Sequence, residues 1–140
     1  MTALDCRTQI GQPDRQDSLR LLAANPASRV RIRVTGSPTV FPVRHHVVDF
    51  DTIVFRGDEF SQCADTSSGV RMSLEAEGID DGDPHGWYVR VDGVARDVVD
   101  PTELARLGEL GGEPRGAGPE THWIQLRPET ITGRRYSCGA

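Results

Sequence analysis

A small antiparallel β-barrel, mainly β with two flanking helices, is the fold this sequence predicts, on three observations. Apolar and polar residues alternate at period two in several runs, as in Val30-Arg31-Ile32-Arg33-Val34 and Val70-Arg71-Met72-Ser73-Leu74, the pattern of strands with one buried face. Clusters of Gly, Pro and Asp separate those runs at short intervals and turn the chain. The 140 residues hold one domain with one core, and about six strands closing on themselves is the economical way to fill it.

Asp14 is placed to cap a helix over 14–25, with Leu19, Leu21 and Leu22 among its charged residues and Pro26 stopping it. Residues 1–13 read as a flexible segment of a single domain over 1–140. Val30, Ile32 and Val34 then alternate with Arg29, Arg31 and Arg33 in a half-buried strand, and Thr35-Gly36-Ser37-Pro38 turns the chain. A second strand over 39–48 is interrupted by Pro42, and Asp49-Phe50-Asp51 leads into a third over 52–56. From Gly57 to Ser67 the alternation lapses, which suits a short irregular helix or a loop. Val70, Met72, Leu74 and Ala76 mark the fourth strand, and the acidic 78–84 stretch is a turn-rich loop. Trp87, Val89 and Val91 alternate with Tyr88 and Arg90, and Asp92-Gly93 invites a tight hairpin or a bulge before 94–99 continues the sheet. Pro101 opens a helix over 101–110 with Leu104, Leu107 and Leu110 on one side, and the Gly- and Pro-rich 111–119 run is a loop. In the last strand Ile124 and Leu126 share one face and Trp123, Gln125 and Arg127 the other; Pro128 ends it and Ile131 opens a short final segment.

All 16 basic residues are arginines, set against 21 acidic residues for a net charge of −5. That balance repels a phosphate backbone, so nucleic-acid binding is disfavoured. The absence of lysine removes Schiff-base chemistry and any P-loop lysine, so a phosphate held by a charged side chain is held by arginine or histidine. No apolar run approaches the roughly 20 residues of a membrane span, and the charged N-terminus lacks the core of a secretory signal. A cytoplasmic protein without membrane or nucleic-acid partners is expected. Cys6, Cys63 and Cys138, odd in number and widely spaced, read as reduced thiols. The histidines lack zinc spacing and Asp80-Asp81-Gly82-Asp83 lacks a calcium loop's terminal glutamate, so no metal is expected.

Several segments resemble, in order and spacing, the flavin mononucleotide (FMN)-binding split barrels of the pyridoxamine 5'-phosphate oxidase-like family, in particular an actinobacterial subgroup related to nitroimidazole-resistance proteins. They are Ser18-Leu19-Arg20-Leu21-Leu22 before Arg29, Phe41-Pro42-Val43, Ile53-Val54-Phe55-Arg56, the run Gly86 to Gly93, and the run His122 to Arg135. The resemblance implies a six-stranded antiparallel split barrel, a homodimer, and FMN in a cleft made by both subunits. It further implies that a Pro-Val-Asn-Tyr motif and a Phe-Arg-Thr segment, followed by a Gly-Ser/Thr-Lys turn, supply much of the cofactor site. Here Pro42-Val43 is kept while Arg44 and His45 replace the asparagine and the aromatic residue. Phe55-Arg56 is kept, but Gly57 replaces threonine and Ser61-Gln62 replaces Ser-Lys.

The resemblance thus implies cofactor contacts from Arg44, His45, Phe55, Arg56, Ser61, Gln62, Trp87 and Trp123. Arg56, Ser61 and Gln62 would hold phosphate, while Trp87 and Trp123 would wall the pocket. Losing the lysine weakens phosphate binding by about one to two powers of ten unless something compensates; the Arg44 fork is the candidate, gripping phosphate or the flavin's pyrimidine edge. Each residue also has a plainer reading: a solvated charge for the arginines, core packing for the tryptophans, a structural role for the histidine. His45 and His46 point to opposite sides of a strand, so at most one faces the cleft. A flavin-dependent oxidoreductase acting on a small electron-poor substrate is one function this implies. The other is a non-catalytic binding or sensor module holding deazaflavin or haem, or no cofactor.

Overall fold

The computed structural model describes residues 8–24, 29–49, 51–56, 69–79, 85–110 and 122–137. Among these, the elements are β1 (Thr8–Gly11), α1 (Arg15–Ala24), β2 (Arg29–Val34), β3 (Phe41–Pro42), β4 (His45–Val48), β5 (Thr52–Arg56), β6 (Val70–Ile79), β7 (His85–Asp97), α2 (Pro101–Gly108) and β8 (Trp123–Ser137). One eight-stranded sheet runs β3-β2-β6-β7-β8-β5-β4, with β1 added to β8, and every pairing in it is antiparallel. Its two ends, β3 and β4, are consecutive in the chain, so the sheet curls until one crossing segment lies along both edges. This is the expected mainly β architecture with flanking helices, built from eight strands rather than about six.

Pro42 explains why the crossing segment divides. It has no N–H to give to a ladder. Phe41 and Pro42 pair with Ile32 and Arg31, the Val43 N–H still donates to the Val30 carbonyl at 3.1 Å, and from His45 the chain pairs with β5 instead. Arg44 stands where the strand changes partners.

Asp14 caps α1, its Oδ1 accepting from the Asp17 N–H at 2.8 Å. The helix lays Leu19, Leu21 and Leu22 into the barrel interior, among Ile32, Ile53, Phe55, Leu74, Trp87, Val89 and Leu126. Its first turn sits directly on β8: a Cβ added at Gly133 would overlap the Ser18 hydroxyl, so glycine is what allows that approach.

Strands β6, β7 and β8 are longer than their side chains suggest. Gly78 and Ile79 continue β6, because Gly78 lies opposite Trp87 and leaves room for its indole. Asp92-Gly93 forms a bulge rather than a hairpin: Asp92 faces Thr130 and Gly93 faces Pro128, leaving Glu129 as the extra residue. A Cβ at Gly93 would collide with the Arg127 carbonyl oxygen. Pro128 does not end β8 either. There the strand's other edge pairs neither with β5, which reaches only to Leu126, nor with β1, which begins at Arg135, so no ladder bond is lost. The inserted residue exchanges the faces of β8, with Ile124 and Leu126 inward before it and Ile131 packed on the same core after it.

Thr8–Gly11, part of the segment expected to be flexible, pairs with β8 through Thr8–Ser137 and Gln9–Tyr136. Main-chain pairing needs no apolar pattern, so the side chains do not announce it. The 57–67 stretch, the acidic 80–83 run, the 111–119 loop, Pro26 and all three cysteines lie outside the described residues. Among the described residues, no helix is long and apolar enough to cross a membrane, and no group of three or more His, Cys, Asp or Glu is arranged to hold a metal.

Candidate functional site

Successive residues of β4, β5 and β8 face opposite ways, and that parity sorts the candidates. His45 is 1% exposed, Phe55 0% and Trp87 2%, all within the barrel. These three, which the resemblance puts along the cofactor cleft, are packed among the core residues. Arg44, Arg56 and Trp123 lie outside the barrel, and His46 joins them. Ser61 and Gln62 lie outside the described residues.

His45 has a structural task. Its Nε2 lies 2.8 Å from the Leu22 carbonyl, tying α1 to β4. A carbonyl only accepts, so Nε2 carries the hydrogen and the buried Nδ1, which has no partner, is left as a bare acceptor. Burial pushes the His45 pKa below the usual histidine value; the Leu22 carbonyl opposes this and the neighbouring His46 adds to it. With one nitrogen engaged and the other sealed, His45 offers nothing to a haem iron.

On the outer face, Arg56 lies opposite Trp123 in the β5–β8 register, and its guanidinium carbon is 5.2 Å from the indole centroid, a cation–π distance. The His46 ring is 6.3 Å from the Trp123 ring, tilted by 54°. Burial lowers the His46 pKa first, and the charges of Arg44 and Arg56 lower it further. Among the described residues no carboxylate pairs with Arg44 or Arg56. Among the described residues, two guanidiniums and an imidazole of lowered basicity therefore share one shelf without a carboxylate partner.

Trp123 is the wall of that shelf rather than an open platform, since it is only 4% exposed. Helix α2 covers it: Leu107 joins Val54 and Trp123 in a second apolar cluster, bordered by Val48, Val98, Leu104 and Leu110. Asp100 caps α2, its Oδ1 accepting from the Thr102 N–H at 2.9 Å. Arg106 reaches Asp49 at 3.4 Å, in the β4–β5 turn, where Asp49 takes a left-handed φ of 51°. His122 and Asp97 meet at 2.7 Å beside the start of β8.

Of the arginine row of β2, Arg31 is engaged elsewhere. Arg31 pairs with Glu77 at 3.0 Å and Glu75 at 3.6 Å, and the Tyr88 hydroxyl donates to Glu75 at 2.9 Å. Burial, then that bond, raises the Tyr88 pKa to about 12.

Fold and site together define a split β-barrel whose outer face, beside the strand break, carries a basic shelf, unpaired among the described residues, against an aromatic wall. The chain belongs to the pyridoxamine 5'-phosphate oxidase family, whose model matches residues 14–135. It is 30% identical over 131 residues, 91% of this chain and 86% of the other, to the uncharacterized protein Rv0080 of Mycobacterium tuberculosis. A structure described as the FAD binding protein from Mycobacterium smegmatis superposes with a TM-score of 0.72 at 30% identity, over 92% of this chain and all of the other (100%). A putative pyridoxamine 5'-phosphate oxidase of Corynebacterium glutamicum superposes at 0.74, with 23% identity over 96% and 98% of the two chains.

Proposed function

We propose that the outer shelf of β4, β5 and β8 binds a flavin nucleotide, and that the chain is a flavin-dependent oxidoreductase acting on a small, electron-poor substrate. The observation that carries this is the grouping of His46 and Arg56 beside Trp123, with Arg44 near enough to act on the His46 charge and no carboxylate among the described residues to neutralise the arginines. Unpaired guanidiniums repel one another and gain from an anion between them. The donor set fits a ligand with a phosphate and a planar, electron-rich edge. FMN meets that description and FAD shares the same ring and first phosphate; the M. smegmatis relative is described as binding FAD.

In this reading Arg56 grips phosphate from the end of β5, and Ser61 and Gln62 follow it in the chain. Arg44 grips phosphate or the pyrimidine edge, replacing the missing lysine. Trp123, held by α2, keeps Arg56 aimed and water away from one side. A bound flavin would supply the hydride or electron transfer, leaving the chain to orient the ring and tune its charge. The same reading takes the protein as a cytoplasmic homodimer, a state that sedimentation equilibrium tests.

The absorption spectrum of the purified protein, followed by titration with FMN, FAD, deazaflavin and haem, tests the assignment. Arg44→Ala and Arg56→Ala are each expected to weaken flavin binding at least about tenfold. Unchanged titrations in both variants overturn it, and haem uptake in place of flavin moves the ligand to another class.

A further inference from the structure

We infer that His46 is a proton-linked third cation of the shelf, taking up a proton as a phosphate group binds so that affinity for a phosphorylated ligand rises as pH falls. The ligand's identity rests on the flavin reading; the linkage itself requires only an anion.

The geometry isolates His46 among cations. Just ahead of its strand stands Arg44, and at the end of the neighbouring β5 stands Arg56, both close enough to act on its charge. From β8 it meets Trp123, which is neutral, at 6.3 Å between rings. Helix α2 turns Leu104, Leu107 and Leu110 toward this cluster, while its Arg106 is paired with Asp49 and Glu103. His45 lies on the other face of β4, sealed in the core. Among the described residues, burial and the charges of Arg44 and Arg56 all disfavour the imidazolium, and no carboxylate is among the groups that act on it.

A phosphate beside Arg44 and Arg56 reverses that balance. Its negative charge offsets both guanidiniums and gives the imidazolium an acceptor it otherwise lacks. Linkage is reciprocal: an anion that raises the affinity of His46 for a proton is bound more tightly once the proton is there.

FAD is the decisive probe, because its diphosphate keeps a constant charge between pH 6 and 8, whereas the FMN monoester has its second pKa near about 6. Wild-type affinity for FAD is expected to rise about fivefold from pH 8 to pH 6, while riboflavin, which has no phosphate, shows a flat profile. His46→Gln keeps a polar side chain without the proton and is expected to flatten the FAD profile. The same pH slope in His46→Gln overturns the proposal, as does an equal slope for riboflavin. An independent arm uses inorganic pyrophosphate and follows the His46 ring by NMR: its pKa is expected to rise on adding the anion. Were no flavin to bind, a rise with pyrophosphate would uphold the linkage and remove only the flavin; an unmoved titration would overturn the linkage whatever the flavin result.

Discussion

His45 and His46 are neighbours in the chain and occupy different media. His45 sits buried among Leu22 and Phe55 with one hydrogen bond; His46 sits against an indole and feels the charges of two guanidiniums. The same division repeats one strand over, where Phe55 faces in and Arg56 faces out, and again on β8 with Ile124 and Trp123. The inner face is closed by close packing against α1. Among the described residues the outer face is closed only in part, by the smaller cluster beneath α2, and charge collects on the remainder. One curled sheet thus assigns close packing to one side and charged and aromatic side chains to the other, and a step of one residue decides which.

Truncating the inner face gives the largest loss. Phe55→Ala is expected to cost about 3–5 kcal/mol of stability, as for buried aromatic side chains in general, read from urea unfolding. Leu107→Ala tests the outer cluster at the lower end of the range for buried leucines, about 2 kcal/mol. Because it uncovers Trp123 and leaves Trp87 sealed, folded-state tryptophan emission should shift to the red; unshifted emission would show that α2 does not shield the indole.

The two histidines sharpen the comparison through pH. Both have folded-state pKa values below the ordinary histidine value, so the unfolded chain binds more protons as pH falls past about 6.5 and stability declines from there downward. It is steady above that value. His45→Leu removes a titrating group with no partner for its proton, and urea midpoints at pH 7.5 and 5.5 should lie closer together than in the wild type. The smallest effect on stability belongs to Arg56→Ala, which loses a cation–π contact of about 0.5–1 kcal/mol and is expected to leave the fold intact.

Much of this division is legible in the amino acids. Phe41, Val43, His45 and Val47 alternate, as do Trp87, Val89 and Val91, and that parity alone turns His45 and Trp87 inward and His46 outward. What the pattern does not carry is tertiary. Val48, Val54 and Trp123 are apolar on the outer face because α2 arrives there from elsewhere in the chain. The five-residue interval from Leu126 to Ile131, both inward, requires an odd step in β8; Pro128 looks like an end only while the bulge at Glu129 is unknown. Pairing of Thr8–Gly11 with β8 is written in the backbone and leaves no mark in hydrophobicity.

The crossing segment from Phe41 to Val48 acts as the clasp of a hoop. Its first half fastens to β2 and its second half to β5, with Arg44 at the fastening. Detaching either half frees an edge of the sheet, so anything that holds Arg44 in place also restrains the hoop from springing open. A ligand bound there only in the folded state, at a hundred times its dissociation constant, adds about 2.7 kcal/mol to the stability of the whole barrel. Occupancy of the shelf is therefore readable far from it, as slower hydrogen exchange at the Val43 amide and a higher melting temperature for the entire chain.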